Sequence, residues 1–505
     1  MPRVRRRRIR KIFIANRGEI ACRVIRAARE MGIRTVAAVS EADTGSLQAR
    51  MADEVAQIGP SDPPASYLNE EVIIRAARRM GCDSIHPGYG FLSENASFAE
   101  RCTRAGLIFI GPTAKNIRDM GDKTTAKRLA SEAGIPVIPG VLSPIRTIEE
   151  AREIADEIGY PCMLKAAAGG GGRGMRIVRS PDRLDRAFES CRHESMASFG
   201  SDAVFLEKLI ERPRHVEVQI LADGFGNVVH LGERDCTVQR RHQKLIEESP
   251  SPALTHETRS RMGEDACLLA VRADYLSAGT VEFLLDEDGR YYFMEMNTRI
   301  QVEHPVTELV TGIDLIGRQI RIAQGEPLDF TQEDVVLVGH AIECRINAED
   351  PTKGFLPTPG RIHQIIFPMG PGVRVDTAAF SGSNIPKEYD SLIAKIIVHA
   401  DTRADAIARM KRALLELKIG GIRSNANFHY AIMNDRVFAS GDFDTSYIDE
   451  NMERINRGEF ANPEVAAIAV AIETCLRTLR RLPGAPAGRV SPDNAWKQSG
   501  RGTPG

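Results

Sequence analysis

The chain has 505 residues, which corresponds to about three domains at roughly 150 residues each. Its 67 lysines and arginines against 68 aspartates and glutamates give a formal net charge of −1, which argues against binding nucleic acid or acidic lipid through a strong overall field. With 42% hydrophobic and 27% charged residues, the composition excludes a disordered chain, a collagen and a disulfide-stapled miniprotein.

The sequence indicates a cytoplasmic protein without a membrane segment. The longest helix-like apolar stretch, 465–472, is far shorter than the roughly 20 residues that a membrane span needs. The N-terminus has no apolar signal segment; its basic run at 3–11 is expected to be a solvated tail, with targeting or nucleic-acid contact as the alternative. The nine cysteines include no C-x-x-C pair, which is typical of reduced thiols in a cytosolic protein.

Strands and helices alternate over the first 120 residues. The pattern predicts helices at 18–31 and 72–80 and strands at 11–15, 34–40, 84–86 and 107–111. This alternation is typical of a parallel α/β unit. The turn at 16–20 could hold an anion, but it lacks the G-x-G-x-x-G fingerprint of a dinucleotide site.

A glycine-rich loop occupies residues 168–174, between predicted strands at 162–165 and 175–179. Because glycine has no Cβ, the loop can bring backbone N–H groups close to phosphate oxygens and can act as a lid. A hairpin tip without function is the alternative, and Lys165 directly before the loop disfavours it. The earlier segment 121–124 is not a P-loop, because it lacks the first Walker A glycine.

Most of the remaining sequence up to residue 400 predicts strands. His215, Glu217 and Gln219 fall on one face of a strand. The basic cluster at 233–244 has too little apolar content for a core strand and is expected to attract phosphate or bicarbonate, with nucleic acid as the competing interpretation. A helix at 403–417 follows, and from about 451 an Ala-rich helix leads into a tail that contains Trp496.

Two glutamates are predicted to face each other across a hairpin. If Asp288-Gly289 forms a two-residue type I′ turn, Glu282 lies directly opposite Glu295, with Asn297 on the same face. Like charges in direct opposition cost stability unless a cation bridges them. Two carboxylates and an amide oxygen suit Mg²⁺ better than Zn²⁺ or Ca²⁺. A solvated edge hairpin is the alternative.

Polar residues occupy every second position after this hairpin. An extended chain would place them on one side: Glu295, Asn297, Arg299, Gln301 and Glu303. We interpret this stripe as a reaction track, in which the arginine binds a planar oxyanion and Glu303 serves as a base. A salt-bridged surface strand is the alternative.

Several ordered runs between residues 11 and 450 match one family. They are IANRGEIA at 14–21, HPGYGFLSEN at 86–95, MGDK at 120–123, the glycine-rich loop, the cluster at 233–244, the stripe extended to 305, and ECRINAED at 343–350. With these runs the chain resembles the biotin carboxylase component of biotin-dependent acyl-CoA carboxylases of the acetyl-CoA or propionyl-CoA type, within the ATP-grasp superfamily.

The resemblance implies a fold of mixed α/β and α+β class. A Rossmann-like pre-ATP-grasp domain is expected over 1–121. An ATP-grasp domain is expected over 122–330, with a lid subdomain at about 138–210. A C-terminal biotin carboxylase domain at 331–450 and a helical and flexible tail at 451–505 complete the expected organisation.

The resemblance also implies an ATP-hydrolysing ligase that forms a C–N bond. ATP phosphorylates bicarbonate to carboxyphosphate, which yields CO₂ and phosphate. The phosphate can then take the proton of the biotin ureido nitrogen, so that N-carboxybiotin forms. The expected catalytic residues are Lys244, Arg299, Glu303 and Arg345, with Glu303 as the base that deprotonates bicarbonate and Arg345 as the group that stabilises the enolate-like biotin oxygen.

The remaining site residues are implied by the same resemblance. Lys123 and Lys165 would bind the ATP phosphates, and Gly171 and Gly172 would cover them. The residues around the adenine and the nucleotide would be Glu207, Lys208, Leu209, Ile210, His215, Gln239 and His242. The metal, Mg²⁺ or Mn²⁺, would be held by Glu282, Glu295 and Asn297. Bicarbonate would be bound by Lys244, Arg299, Gln301 and the backbone of Val302.

Partners are expected from the same comparison. Met410-Lys411-Arg412 is the only near match to a Met-Lys-Met biotinylation site, and it lies in a predicted helix. Biotin is therefore expected as a substrate on a separate biotin carboxyl carrier protein, with a separate carboxyltransferase subunit. The resemblance implies a homodimer, because Arg23, Arg26 and Glu30 match interface positions of the family. The alternatives are another ATP-grasp ligase and an inactive scaffold subunit.

Overall fold

The N-terminal segment folds around a five-stranded parallel sheet. The computed structural model describes residues 6–141, 143–166, 175–199 and 203–457. The strands lie in the order β3-β2-β1-β4-β5 and are β1 (Lys11–Ile14), β2 (Arg34–Ser40), β3 (Glu54–Gly59), β4 (Ser84–His86) and β5 (Ile108–Phe109). The helices are α1 (Gly18–Glu30), α2 (Leu47–Met51), α3 (Glu70–Arg79), α4 (Ala96–Arg104) and α5 (Ala114–Gly121). The predicted parallel α/β unit is confirmed, with β3 as an additional strand.

The order of this sheet reverses at β1, because β2 lies on one side and β4 on the other. The loops that follow β1 and β4 therefore meet at the carboxyl edge of the sheet. The Asn16 side-chain amide donates to the carbonyl oxygens of Pro87 and Tyr89, at 2.6 and 2.7 Å. Gly88 has a φ of +63°, and a Cβ there would lie 2.9 Å from the Asn16 amide nitrogen, so this contact requires glycine.

A small antiparallel sheet follows, in the order β7-β6-β8. Its elements and the helices around it are α6 (Lys123–Glu132), α7 (Ile148–Ile158), β6 (Cys162–Ala166), β7 (Met175–Val178), α8 (Leu184–Phe199) and β8 (Val204–Lys208). The predicted hairpin is confirmed, with Lys165 opposite Met175. Its glycine-rich tip, including Gly171 and Gly172, lies outside the described residues.

An eight-stranded antiparallel sheet, in the order β13-β12-β9-β10-β11-β14-β21-β19, dominates the chain from residue 214 to 400. From residue 214 to the end of the described chain, the strands are β9 (Arg214–Ala222), β10 (Val228–Arg240), β11 (Gln243–Ser249), β12 (Ser277–Leu285), β13 (Tyr291–Asn297), β14 (His340–Asn347), β15 (Glu349–Asp350), β16 (Leu356–Pro357), β17 (Gly360–Arg361), β18 (Gln364–Ile366), β19 (Val373–Thr377), β20 (Asn384–Ile385), β21 (Leu392–Ala400) and β22 (Lys418–Gly420). The helices are α9 (His256–Arg272), α10 (His304–Thr311), α11 (Leu315–Ala323), α12 (Arg403–Glu416), α13 (Ala426–Met433), α14 (Arg436–Ser440) and α15 (Tyr447–Arg457). Because β14 pairs with β11, this sheet continues across residue 331, where a domain boundary is predicted.

The alternation of β9 gives the sheet an apolar face and a polar face. Val216 and Val218 belong to an apolar cluster with residues of α9. His215, Glu217 and Gln219 point to the opposite face, as predicted, and they are buried as well. A fully buried glutamate is stable as an anion only beside a compensating cation. The polar face must therefore supply such cations.

Helix α15 ends the described part of the chain at Arg457, so Trp496 and most of the predicted tail lie outside the described residues. Within the described ranges, no helix combines the length and apolar character that crossing a membrane requires. Met410 and Lys411 lie in helix α12, as predicted. Met410 is buried in the core, however, rather than on the helix surface.

Candidate active site

The predicted opposition of Glu282 and Glu295 is present in the β12–β13 hairpin. The predicted two-residue turn is wrong, because Leu285 pairs with Tyr291 and the chain reverses through residues 286–290. A β-bulge next to Glu282 inserts one residue into β13 and returns the two glutamates to direct opposition. The opposition therefore arises from a longer turn and a bulge that compensate each other.

Glu282 is buried, and four polar side chains surround its carboxylate. Its oxygens accept hydrogen bonds from Asn297 Nδ2 and Gln301 Nε2, both at 2.9 Å. Lys244 Nζ and His215 Nε2 each lie 3.0 Å away. Burial favours the protonated acid, but Lys244 and His215 outweigh it and hold the pKa of Glu282 well below its ordinary value. The group is therefore an anionic oxygen ligand of the kind that divalent cations prefer.

Glu295, on the facing strand, is paired with a lysine from helix α6. Lys123 Nζ lies 2.8 Å from Glu295 Oε2. Asn297 completes the predicted metal set, and its Oδ1 accepts a hydrogen bond from Arg299 Nη2 at 2.8 Å. The repulsion between the opposed glutamates is thus offset by cationic side chains. Two carboxylates and one amide oxygen fit Mg²⁺ or Mn²⁺.

Lys244, on β11, is surrounded by carboxylates. Its Nζ donates to Glu217 at 2.6 Å, to Glu303 at 2.7 Å and to Glu282 at 3.0 Å. A weaker contact to Gln301 Oε1 measures 3.3 Å. Burial favours the neutral amine, but the carboxylates outweigh it and raise the pKa of Lys244 well above its ordinary value. The lysine is therefore a fixed positive charge at the centre of the cluster.

Glu303 is held between two cations. Lys244 contacts its Oε1, and Arg345 Nη2 donates to its Oε2 at 2.8 Å. Burial favours the neutral acid, but Lys244 and Arg345 outweigh it and hold the pKa of Glu303 far below its ordinary value. Arg345 is fixed in turn by Glu247, which accepts from its Nε at 2.6 Å. Glu303 is therefore a very weak base while both cations are in place.

The predicted extended stripe is wrong beyond Asn297. Strand β13 ends there, and residues 298–303 form a loop that leads into α10. Glu94, in the loop after β4, holds this segment, because its carboxylate accepts from the Thr298 N–H at 3.2 Å and from Arg299 Nε at 2.8 Å. The loop, rather than a continuous strand, brings Gln301 and Glu303 to the ammonium group of Lys244.

Residues predicted to hold the nucleotide phosphates and adenine lie on α6, β6 and β8. Glu207 accepts from Lys165 Nζ at 2.5 Å and from Lys127 Nζ at 2.9 Å. The Lys208 side chain instead donates to the carbonyl oxygen of Tyr160 at 2.9 Å. The structure therefore places Lys165 and Glu207 together and adds Lys127, which the sequence pattern did not indicate.

The other predicted nucleotide residues lie around the ends of the strands. Leu209 and Ile210 directly follow β8. Gln239 Nε2, on β10, lies 3.5 Å from His215 Nδ1. His242 is exposed in the turn between β10 and β11, with a φ of +64°. His215 and Gln239 thus lie close together, whereas His242 lies in the exposed turn that connects β10 to β11.

The expectation that 233–244 contains no core strand is wrong. Strand β10 is central to the large sheet, and Arg234 on it is fully buried. Its guanidinium donates to Glu217, directly opposite on β9, at 2.5 Å. Asp235, also buried, is paired with Arg214 at 3.2 Å. Ion pairs, one of them between residues directly opposite each other, thus replace apolar contacts in this part of the core.

Five charged residues that the structure places in or beside the candidate site were not predicted individually as site residues, although Arg234 lies in the basic segment 233–244: Glu94, Lys127, Glu217, Arg234 and Glu247. Glu217 could have been predicted from the sequence, because it shares a strand face with His215 and Gln219. The other four are recognisable only from pairings between distant elements.

Family sequence models match three successive parts of the chain. The model described as "Biotin carboxylase, N-terminal domain" matches residues 8–117. "Carbamoyl-phosphate synthase L chain, ATP binding domain" matches 122–331. "Biotin carboxylase C-terminal domain" matches 343–450.

The chain is similar to named proteins over most of its length. It is 56% identical over 440 residues to a biotin carboxylase of Nostoc sp., covering 87% of this chain and 98% of that protein. It is 49% identical over 488 residues to a pyruvate carboxylase subunit of Methanothermobacter thermautotrophicus, covering 93% and 99%. A crystal structure of the biotin carboxylase domain dimer of Hydrogenobacter thermophilus 2-oxoglutarate carboxylase, with MgADP, ADP and bicarbonate, is 49% identical, covers 89% and 99%, and has a TM-score of 0.83.

The pairing of Arg234 with Glu217 predicts a large effect on stability. Arg234→Met should destabilise the fold by about 3–5 kcal/mol, because it leaves a buried carboxylate without its main partner. Urea unfolding at constant pH, followed by circular dichroism, measures the change. Arg290→Met, on the exposed hairpin turn, is the control and should change little. Equal unfolding midpoints for the two variants would contradict the assigned role of the pair.

Proposed function

The chain belongs to the biotin carboxylase family, and we propose that the ion cluster on its large sheet is the active centre for ATP-dependent carboxylation of biotin. The observation that carries this proposal is the position of Glu303 between Lys244 and Arg345, beside the opposed Glu282 and Glu295. A base, two anion-binding cations and a metal-binding pair would therefore share one largely buried cluster. The similar 2-oxoglutarate carboxylase domain contains MgADP and bicarbonate, which such groups are suited to bind.

Metal and ATP would bind on the side of the cluster that faces helix α6. Glu282, Glu295 and Asn297 would hold Mg²⁺ or Mn²⁺, which neutralises charge on the transferred phosphoryl group when bound. Lys123 and Lys165 would contact the phosphates of ATP beneath Gly171 and Gly172. Around the adenine and the nucleotide would lie Glu207, Lys208, Leu209, Ile210, His215, Gln239 and His242.

Bicarbonate would bind between Lys244, Arg299, Gln301 and the backbone of Val302. An anion that accepts from Lys244 weakens the pairing of that lysine with Glu303. Because loss of a positive partner raises the pKa of a carboxylate, substrate binding moves Glu303 toward a useful basicity. Glu303 then takes the bicarbonate proton, and the freed oxygen attacks the γ-phosphorus of ATP, giving ADP and carboxyphosphate.

Arg345 would stabilise the enolate-like ureido oxygen of biotin. Its guanidinium is held by Glu247 at Nε and by Glu303 at Nη2, so its orientation is set before biotin binds. Carboxyphosphate separates into CO₂ and phosphate. The phosphate takes the ureido N–H proton, and the nitrogen attacks CO₂. A donor that is already oriented toward the developing oxyanion stabilises the transition state without reorganisation.

Partners follow from the same proposal. Biotin would arrive on a separate biotin carboxyl carrier protein, since Lys411 lies within a helix rather than in a hairpin turn. A separate carboxyltransferase subunit would determine which molecule receives the carboxyl group from carboxybiotin. We propose an acyl-CoA as the acceptor and a role in fatty acid biosynthesis; similar proteins are named for pyruvate and for 2-oxoglutarate. We also propose a cytoplasmic location, although a similar protein of Arabidopsis thaliana is named as chloroplastic.

We also propose a homodimer, since the similar 2-oxoglutarate carboxylase domain is a dimer. Helix α1 carries the three positions implied at the interface. Arg26 is half-buried and Glu30 is exposed. Arg23 is buried and pairs with Glu308 of the same chain at 2.9 Å. Arg23 would therefore support an interface through this ion pair.

Bicarbonate- and biotin-dependent ATP hydrolysis tests the proposed function directly. The purified protein should hydrolyse Mg-ATP when bicarbonate is present, and free biotin should increase the rate. Release of phosphate from ATP in a coupled assay gives the measurement. Hydrolysis without any response to biotin would contradict the proposal and favour another ATP-grasp ligase.

The metal assignment predicts a selective effect of Glu282→Gln. This change keeps the shape of the side chain but removes a ligand charge, so kcat/KM for Mg-ATP should fall by at least the ~10–100-fold that loss of a supporting metal-site group costs. The unfolding midpoint should fall much less. Glu287→Gln, exposed in the turn of the same hairpin, is the matched control and should retain activity. Equal loss of activity and stability would make the Glu282–Glu295 pair structural.

The biotin assignment predicts that Arg345→Ala separates the two partial reactions. Biotin carboxylation should fall by about 100-fold or more, as expected for loss of an oxyanion-stabilising donor. Bicarbonate-dependent ATP hydrolysis should fall much less, because the proposed bicarbonate ligands Lys244, Arg299 and Gln301 and the base Glu303 all remain. Carboxybiotin formation and phosphate release are measured in parallel, with the exposed Arg361→Ala as the control. Equal losses in both assays would refute the role of Arg345.

A further inference from the structure

Lys395 is a fully buried lysine at which three distant parts of the chain meet. It lies on β21, and its Nζ donates to the carbonyl oxygen of Val302 at 2.7 Å. Glu19 Oε1 lies 2.9 Å away, and Asp376 Oδ2 lies 3.9 Å away. Burial favours the neutral amine, but Glu19 and other carboxylates outweigh it and raise the pKa of Lys395. The ammonium group of Lys395 is therefore charged, and its contacts with Val302 and Glu19 fix its position.

The partners of Lys395 come from all three regions that the family models match. Glu19 lies on α1, within 8–117. Val302 lies in the loop between β13 and α10, within 122–331. Lys395 itself and Asp376 lie within 343–450. One ammonium group thus links the first and last of these regions to a single carbonyl group in the second.

That carbonyl group belongs to the peptide that joins Val302 to Glu303. A peptide unit is planar, so fixing its oxygen also fixes the nitrogen and Cα of the next residue. The preceding carbonyl, of Gln301, is held by His304 Nδ1 at 2.8 Å. Two buried side chains therefore set the backbone from which Gln301 and Glu303 project into the cluster.

We propose that Lys395 is a positioning residue for the bicarbonate site: by holding the Val302 carbonyl, it sets the backbone on which the anion and the base Glu303 are aligned. This inference rests on the proposed function, because it takes bicarbonate as the ligand of the loop. Lys395 contacts neither substrate nor metal in this proposal. It acts through one hydrogen bond to the main chain.

Glu19 extends the same effect to the N-terminal region. It holds Lys395 at one oxygen, and the Tyr89 hydroxyl donates to that oxygen as well. Glu19 lies outside the set of groups proposed to touch bicarbonate. A change at Glu19 that disturbs bicarbonate use would therefore act through Lys395 and the loop.

Steady-state kinetics of Lys395→Met test the proposal. The KM for bicarbonate should rise by about 10–100-fold, since a shift of about 1 Å in a reacting group can cost two orders of magnitude. The KM for Mg-ATP should change much less, because Lys395 does not contact the predicted nucleotide residues in the structure as described. Lys395→Arg keeps the positive charge and the hydrogen-bond donors, so its KM for bicarbonate should stay much closer to that of the wild type. The exposed Lys353→Met is the control and should match the wild type.

A double variant separates positioning from simple loss of stability. Lys395→Met leaves Glu19 without its ammonium partner, whereas Glu19→Gln/Lys395→Met removes both charges. The double variant should fold and still show the raised KM for bicarbonate. A wild-type KM for bicarbonate in the folded double variant, or an equal rise in the KM for Mg-ATP, would overturn the proposal.

Amide hydrogen exchange provides a readout that does not depend on activity. In Lys395→Met, or in the double variant if the single one does not fold, the amides of residues 302–304 should exchange faster than in the wild type. Unchanged exchange would overturn the positioning role. A wild-type protein that hydrolyses no ATP in response to bicarbonate would instead refute the proposed function, and exchange would still decide whether Lys395 fixes the loop.

Discussion

Charge compensation inside a buried cluster is the constraint on which the candidate site depends. Glu217, Glu282 and Glu303 are at most 4% exposed, and all three contact Lys244. An ion that leaves water for a protein interior loses several kcal/mol of solvation, so buried carboxylates of this kind require cations beside them. Arg234 supplies a second positive charge to Glu217. The groups proposed to perform the chemistry therefore also hold this part of the fold together.

The large sheet makes such a cluster possible because its register sets the spacing of charged side chains. Glu217, Arg234, Lys244 and Glu282 project from neighbouring strands, where the backbone ladder limits their movement. Glu303 is different, because it comes from a loop outside the ladder. Glu94 at one end of that loop and Lys395 near the other replace the missing strand partners. Most of the site is therefore built on rigid strands, but it includes one irregular segment, the loop at 298–303. Side chains that are distant in sequence hold this loop in place.

The parts predicted correctly from sequence are those encoded by neighbouring residues. The shared face of His215, Glu217 and Gln219 follows from the twofold period of a strand. The opposition of Glu282 and Glu295 was also predicted, although its turn was not, because a bulge cannot be seen in a local pattern. Each of these predictions required only a few adjacent positions.

The parts that were missed depend on pairings between remote elements. Arg234 faces Glu217 only after a register shift within β10. The low apolar content of 233–244 therefore suggested, wrongly, that this segment contains no core strand. Glu94 and Arg299 are 205 positions apart in the chain. No periodicity connects them, so only the packing of the first sheet against the loop brings them together.

The resting ion pairs suggest how substrate binding and activation are linked. Lys123 pairs with Glu295, and Lys244 pairs with Glu303. Both lysines are proposed to bind an anionic substrate. In the structure, each instead neutralises a carboxylate that is itself proposed to act as a metal ligand or as a base. ATP phosphates that take Lys123 would leave Glu295 free as a metal ligand. Bicarbonate that takes Lys244 would leave Glu303 more basic. The same exchange of partners would occur at both proposed sites, so each carboxylate would gain its reactive state only when the substrate that needs it is bound.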